Sequence, residues 1–221
     1  MICSRASALP ANLYKSLSAF RRKVFIERLG WNLKCEPECE QDQFDRDDTV
    51  HLVGLGESGD VIGCGRLLPT TKSYLLQEVF PHLLNGTQPP CSEKVWELSR
   101  FAAIRDRRQA GTIVHDHLAE ILLLRALQYC RRHGATQLLA VSTLAVERLM
   151  LKAGVDVQRL GPPHIVDGQP VLAFVIQVNE RSIESLSAFE NAEQSVSGPK
   201  FTTVPLRNLP GFKTEAQHPV L

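Results

Sequence analysis

Val95-Trp96-Glu97-Leu98-Ser99-Arg100-Phe101-Ala102-Ala103-Ile104 is an apolar run with charge set into it. It is followed by Ile113-Val114-His115-Asp116-His117-Leu118-Ala119-Glu120-Ile121-Leu122-Leu123-Leu124-Arg125-Ala126-Leu127-Gln128-Tyr129-Cys130-Arg131-Arg132-His133 and then by Gln137-Leu138-Leu139-Ala140-Val141. The first and third stretches have the length and residue types of strands. In the second, Val114, Leu118, Ile121 and Leu122 recur at steps of three and four, the period of an amphipathic helix, and Gly134 is its stop signal. Strand, helix, strand in this order predicts an α/β domain.

Working outward, residues 50–55 and 61–67 are short apolar runs joined by Gly56-Glu57-Ser58-Gly59, the pattern of a β-hairpin. Residues 145–152 read as a helix, 155–159 as a strand and 171–178 as a long β run. Near the start, Leu13, Leu17, Phe20, Val24 and Phe25 mark an amphipathic helix over residues 10–28, with Pro10 tolerated in its first turn and Gly30 ending it. Residues 34–47 mix Glu, Asp, Cys and Pro without periodicity and read as a loop. The sum is a mixed central sheet flanked by helices in a single domain, residues 1–184. From 185 to 221 the composition turns polar, and Pro199, Pro205, Pro210 and Pro219 interrupt any regular element, which predicts a peripheral or mobile tail.

With 221 residues, 43% hydrophobic and 22% charged, the chain can bury a full core. A formal net charge of +1 provides no global field for nucleic acid, so an acidic partner must meet a local patch. No signal-peptide pattern opens the chain and no apolar stretch approaches the ~18 residues of a membrane span. The six cysteines therefore read as reduced and the protein as cytoplasmic, with no membrane partner.

Three motifs fail on context. Gly54-Leu55-Gly56-Glu57-Ser58-Gly59 spells a dinucleotide fingerprint but leads into a strand rather than a helix. Cys35, Cys39, His115 and His117 do not make a four-ligand set, so no metal is expected. Cys64, between two glycines in a strand, reads as core packing.

Core packing does not account for Arg21, Phe25 and Trp31, then Asp42-Gln43-Phe44-Asp45, then Arg66, Glu97 and Arg100. This set resembles the hallmark positions of the acyl-homoserine-lactone synthases, the autoinducer synthases of bacterial quorum sensing, whose fold is acetyltransferase-like. The resemblance runs from about residue 11 to 178. It implies an acyltransferase that takes an acyl chain from acyl carrier protein and joins it to S-adenosylmethionine, which is a substrate, so that no cofactor is called for. The products it implies are the N-acyl-homoserine lactone, methylthioadenosine and holo-carrier protein.

Each hallmark residue type suits a demand of that chemistry. Aromatic faces at Phe25 and Trp31 attract a sulfonium cation. Asp42 and Asp45 are candidates for the donor's ammonium and its ribose or sulfonium end. Arg21 and Arg66 are candidates for its carboxylate, because guanidinium pairs with carboxylate bidentately. Arg66 lies in an apolar run and requires a partner; a purely structural ion pair stays open for it. By resemblance Glu97 is the general base, with Arg66 and Arg100 as further catalytic residues and Arg100 ordering the acidic loop or the donor pocket; a strand glutamate paired with a nearby arginine for structure stays open for Glu97. Strict strand alternation puts Glu97 and Arg100 on opposite faces unless a bulge intervenes.

On the acyl side, Ser142 and Thr143 resemble the region where the family distinguishes chains oxidised at the third carbon. Leu139, Val141, Leu144, Val146, Leu149 and Met150 are candidates to line an acyl tunnel. Arg108-Gln109-Ala110-Gly111-Thr112-Ile113 looks like a degenerate acetyltransferase pyrophosphate loop. Arg105, Arg107, Arg108, Arg131, Arg132, Arg148 and Lys152 are candidates for a carrier-protein patch. Two rivals fit the same residues: an N-acyltransferase using acyl-coenzyme A and another amine, and a non-catalytic module that binds carrier protein.

Overall fold

A computed structural model of the chain describes residues 1–33, 35–104 and 117–196. In chain order its elements are β1 (Ile2–Arg5), α1 (Ala11–Arg21) running on into a π-helical turn (Arg22–Arg28), β2 (Val50–Leu55), β3 (Val61–Pro69), α2 (Leu75–Glu78) and β4 (Val95–Ala103). Then come α3 (Leu118–Arg132), β5 (Gln137–Thr143), α4 (Leu144–Lys152), β6 (Val157–Arg159), β7 (His164–Val166), β8 (Gln169–Gln177) and α5 (Glu180–Val196). The predicted helix over 113–133 is present from Leu118, and its expected first turn lies outside the described residues.

One sheet carries every strand among the described residues, in the order β1-β2-β3-β4-β5-β8-β6, with β7 also paired to β8. All neighbours are antiparallel except β4 and β5. That parallel pair needs a long connection, and α3 lies within it. The β4–β5 ladder is short, from Val95↔Gln137 to Leu98↔Ala140; beyond it β4 pairs only with β3 and β5 only with β8.

Strand alternation divides the core between two faces. On one, Leu52, Leu67, Leu98, Leu138 and Phe174 pack against Leu122 and Leu127 of α3. On the other, Val53 and Cys64 pack against Leu17, Phe20 and Phe25, while Leu68, Leu139 and Val175 pack against Phe44, Tyr74 and Leu76. Gly63 and Gly65 permit this close approach: a Cβ on Gly63 would lie 2.7 Å from Leu122 Cδ1, and one on Gly65 2.8 Å from Leu52 Cδ1.

Several expectations are corrected. The strand expected over 155–159 is confined to Val157–Arg159, and β1, α2 and β7 are additional. β7 and β8 form a hairpin whose turn, Asp167 (φ 48°) and Gly168 (φ 76°), has the two positive φ angles of a type I′ turn. The largest correction concerns the tail. Helix α5 runs straight through the expected boundary at 184/185, with Ile183 and Leu186 buried in the core beside α3. Ion pairs Arg125–Glu190 and Arg131–Glu180 tie it to α3. Its polar composition reflects one solvated face, and the rest of the expected tail, 197–221, lies outside the described residues.

Candidate active site

Arg21 ends α1 on the side facing the sheet and is 1% exposed, a position that demands partners for its charge. It has two. Its Nε donates to Glu40 Oε2 at 2.6 Å, and Nη1 and Nη2 donate to the two oxygens of Asp45 at 2.7 and 2.9 Å. Arg66, from β3, donates from Nη1 to Asp42 Oδ1 at 2.5 Å and from Nε to Ser99 Oγ at 3.0 Å. Arg100, from β4, donates to Glu40 Oε1 from Nε and Nη2 at 3.1 and 2.9 Å, and to Asp42 Oδ2 at 2.8 Å. Three guanidiniums and three carboxylates thus form one web under the loop that follows Trp31.

The loop is shaped for this by short-range bonds. Phe44 N–H donates to Asp42 Oδ1, Asp42 N–H donates to Asp45 Oδ2, and Asp45 N–H donates to the Asp42 carbonyl. The first is an Asx turn, which Asp favours because its short side chain reaches the backbone two residues on; in the second the Asp45 side chain reaches back to the loop, and the third closes a backbone turn. Phe44 is buried beneath them, with the Arg66 guanidinium 5.5 Å from its ring centroid. Burial alone would oppose ionisation of Asp45, but the Arg21 and Arg66 guanidiniums outweigh it and hold its carboxyl well below the usual range.

A bulge settles the placement of Glu97 and Arg100. The β3–β4 register shifts between Cys64 and Arg66, and Arg100, opposite the shift, has φ 50°. The extra residue turns the Arg100 side chain to the face that holds Ser99 and Arg66, where it shares Asp42 with Arg66. Cys64 is buried here, its thiol donating to the Arg100 carbonyl at 3.0 Å and pushed up to about 12 by burial, as expected of a packing cysteine.

Glu97 is 1% exposed and stands apart from the web. Among the described residues no guanidinium bonds it; Leu75 N–H and Leu76 N–H donate to its two oxygens at 2.9 and 2.6 Å. Burial raises its pKa to about 7, with the two N–H groups and Arg66 opposing the shift and Asp42 adding to it. His51, opposite Arg66 in the β2–β3 ladder, is lowered to about 4 by burial, which the nearby Asp45 only partly offsets, so at neutral pH it is uncharged.

The π-helical turn places the aromatic pair. Leu29 N–H reaches back five residues to Val24 O and Trp31 N–H six to Phe25 O, while Gly30 takes φ +70°. The widened turn lays Trp31 over Phe25, ring centroids 4.8 Å apart and planes 28° from parallel. Phe25 is buried and Trp31 is 40% exposed. The Arg100 guanidinium lies 5.7 and 5.6 Å from their centroids, so the cation these rings hold here is the protein's own.

The family model described as autoinducer synthase matches residues 6–186. An acyl-homoserine-lactone synthase of Acinetobacter nosocomialis is 44% identical over 169 residues, which cover 75% of this chain and 92% of that protein. The chain belongs to the autoinducer synthase family. TofI, crystallised in a ternary complex with an inhibitor and MTA, superposes with TM-score 0.74 at 42% identity, covering 84% of this chain and 95% of that one. BjaI, a CoA-dependent acyl-homoserine lactone synthase whose structure was solved with SAM and isopentyl-CoA, superposes with TM-score 0.75 at 28% identity, covering 90% and 95%. This protein is accordingly an acyltransferase, an acyl-homoserine-lactone synthase of quorum sensing, with the expected acetyltransferase-like fold.

All eight hallmark side chains of the synthase lie on one face of the sheet or in the loop over it. The acyl-side candidates do not converge in the same way. Leu139 and Val141 belong to the cluster on the Glu97 face, whereas Leu144, Val146 and Met150 pack with α3 on the opposite one. Leu149 is 66% exposed among the described residues. Ser142 and Thr143 are half-buried at the end of β5, beyond the short β4–β5 ladder. Of the carrier-protein candidates, Arg148 and Lys152 are exposed on α4, Arg131 is engaged by Glu180, and Arg105, Arg107 and Arg108 lie outside the described residues, as does the loop 108–113. Glu40, His51 and the Leu75 and Leu76 amides are site groups that the sequence reading missed.

Proposed function

We propose that this synthase transfers an acyl chain from acyl carrier protein to the α-amine of S-adenosylmethionine and then closes the lactone. In the first step the amine attacks the thioester carbonyl, an amide forms and the carrier thiol leaves. In the second the donor's carboxylate attacks its own γ-carbon, the C–S⁺ bond breaks, and neutral methylthioadenosine departs. The reaction carries its own electrophiles and leaving groups, so the chemistry calls for no metal or cofactor. We assign it to the cytoplasm, where six free cysteines remain reduced; among the described residues no helix is long and apolar enough to cross a membrane.

The observation that carries the reading is Glu97: a buried carboxyl with its pKa near 7, beside charges that are already paired. A general base works best with its pKa near the working pH, and the donor's ammonium must lose a proton before it can attack. Glu97 takes that proton, directly or through one water. Arg66 is the seat for the donor's carboxylate, since its Nη2 is buried with no partner among the described residues, and a buried donor left unpaired is costly. Arg21, Asp45 and Arg100 hold the loop that carries Asp42, while Trp31 and Phe25 flank the donor. The MTA bound to TofI and the SAM bound to BjaI support this choice of donor by likeness. For the acyl source, Arg148 and Lys152, one turn apart on exposed α4, offer positive charge to an acidic carrier protein.

The test is mass spectrometry of reactions containing S-adenosylmethionine and either acyl carrier proteins or acyl-coenzymes A of matched chain length. An N-acyl-homoserine lactone with equimolar methylthioadenosine, formed faster from carrier protein, is the expected result. Faster turnover from coenzyme A thioesters would replace the proposed acyl source, and acylation of simple amines without methylthioadenosine would replace the donor.

A further inference from the structure

We propose that the backbone amides of Leu75 and Leu76 are positioning groups that clamp the Glu97 carboxylate for proton transfer. The inference rests on the reading of Glu97 as the base. Both carboxylate oxygens are held by consecutive amides, Oε2 by Leu75 N at 2.9 Å and Oε1 by Leu76 N at 2.6 Å, which fixes the plane of the carboxylate. Each oxygen keeps a further lone pair for an incoming proton. The arrangement is reciprocal, because first-turn N–H groups have no partner within their own helix and buried Leu76 is cut off from water.

The segment that presents these amides is anchored on both sides. Thr70 Oγ1 donates to the Val95 carbonyl at 2.8 Å, and Tyr74, fully buried, donates from its hydroxyl to the Pro90 carbonyl at 2.9 Å. From the acidic loop, Arg46 Nη1 donates to the Ser73 carbonyl at 3.0 Å and Lys72 Nζ to Asp48 Oδ2 at 2.7 Å. The loop that supplies Asp42 and the segment that clamps Glu97 are therefore braced against each other.

A base in this place faces conflicting demands. Burial disfavours the carboxylate, and so does Asp42 from the loop; Arg66 from β3 favours it, and the Tyr74 phenol lies nearby. A further arginine would lower the pKa but repel a donor that carries an ammonium and a sulfonium. Two amides stabilise the carboxylate by hydrogen bonding without adding a net charge.

The direct test replaces the Leu76 amide by an ester, using the α-hydroxy acid of leucine, which keeps the side chain and removes only the N–H. Leu75→Pro removes the other N–H genetically, together with the partly buried leucine side chain: Leu75 is the first residue of α2, where proline is accommodated, and Tyr74 at φ −145°, ψ 163° has the backbone that precedes proline. Each change is expected to move the acidic limb of the kcat/KM pH profile upward by about one pH unit, with donor binding near wild type. An unmoved limb in either folded variant overturns the clamp. Amide NMR of the unaltered protein gives an answer that does not depend on folding of a variant. Leu75 and Leu76 N–H shifts should titrate with a midpoint near pH 7, and the titration should vanish in Glu97→Gln; amides that do not titrate overturn the proposal. An inactive Glu97→Gln with no limb shift removes the clamp alone, whereas a fully active Glu97→Gln removes the base reading on which it rests.

Discussion

Trp31 touches the site with one face and solvent with much of the rest, so its contribution to binding can be separated from its contribution to folding. Trp31→Ala leaves Phe25 buried and the Arg100 guanidinium with one aromatic face fewer. A cation–π contact in a partly dry site is worth about 1 to 2 kcal/mol, so S-adenosylmethionine binding should weaken by about five- to thirtyfold in calorimetry. Binding of acyl carrier protein should change little, and an equal loss of both would assign Trp31 to folding. Residue chemistry made this pair readable in the sequence. Glu40 was harder, because the loop also contains Glu36 and Glu38, which are exposed, and composition does not distinguish a buried carboxylate from a solvated one. A signal was nonetheless present. Three hallmark arginines against two loop aspartates leave one buried cation short of a partner, and Glu40 supplies it.

At the scale of elements, periodicity found α1 and α3, and apolar runs found the β2–β3 hairpin and β8, whose strands are buried nearly continuously. It missed α2, which is a single turn held by bonds to Glu97 rather than by an amphipathic pattern. It missed β7, although Asp167-Gly168 is a hairpin signal, because three residues are too few to show alternation. The bulge at Arg100 could be required from the sequence but not located, since it depends on the register against β3. The end of the domain was misplaced because α5 is polar on average while Ile183 and Leu186 are buried. This gives a sharp contrast in stability. Leu186→Ala should cost about 2 to 5 kcal/mol, read as a lower denaturant midpoint, because the side chain is fully buried against α3. A change within about 0.5 kcal/mol is what an exposed tail position would give.

Across the whole molecule, a sheet that is apolar on the α3 side carries on its other face a web in which Arg21, Arg66 and Arg100 are balanced by Glu40, Asp42 and Asp45. Paired charges of this kind are costly to break, and they leave proton transfer to Glu97, a buried carboxyl held by amides rather than by a guanidinium among the described residues. The acyl and carrier sides were the least readable from sequence, since apolar residues on β5 and α4 divide between two core clusters and look alike in a linear chain. The central claim is that Glu97 removes the donor's proton, and the most direct measurement is the rate of methylthioadenosine release by Glu97→Gln alongside its affinity for S-adenosylmethionine. Loss of a general base should lower turnover by about 10²- to 10⁴-fold, with donor affinity within a few-fold of wild type. Turnover within a few-fold of wild type, measured on folded protein, would contradict it.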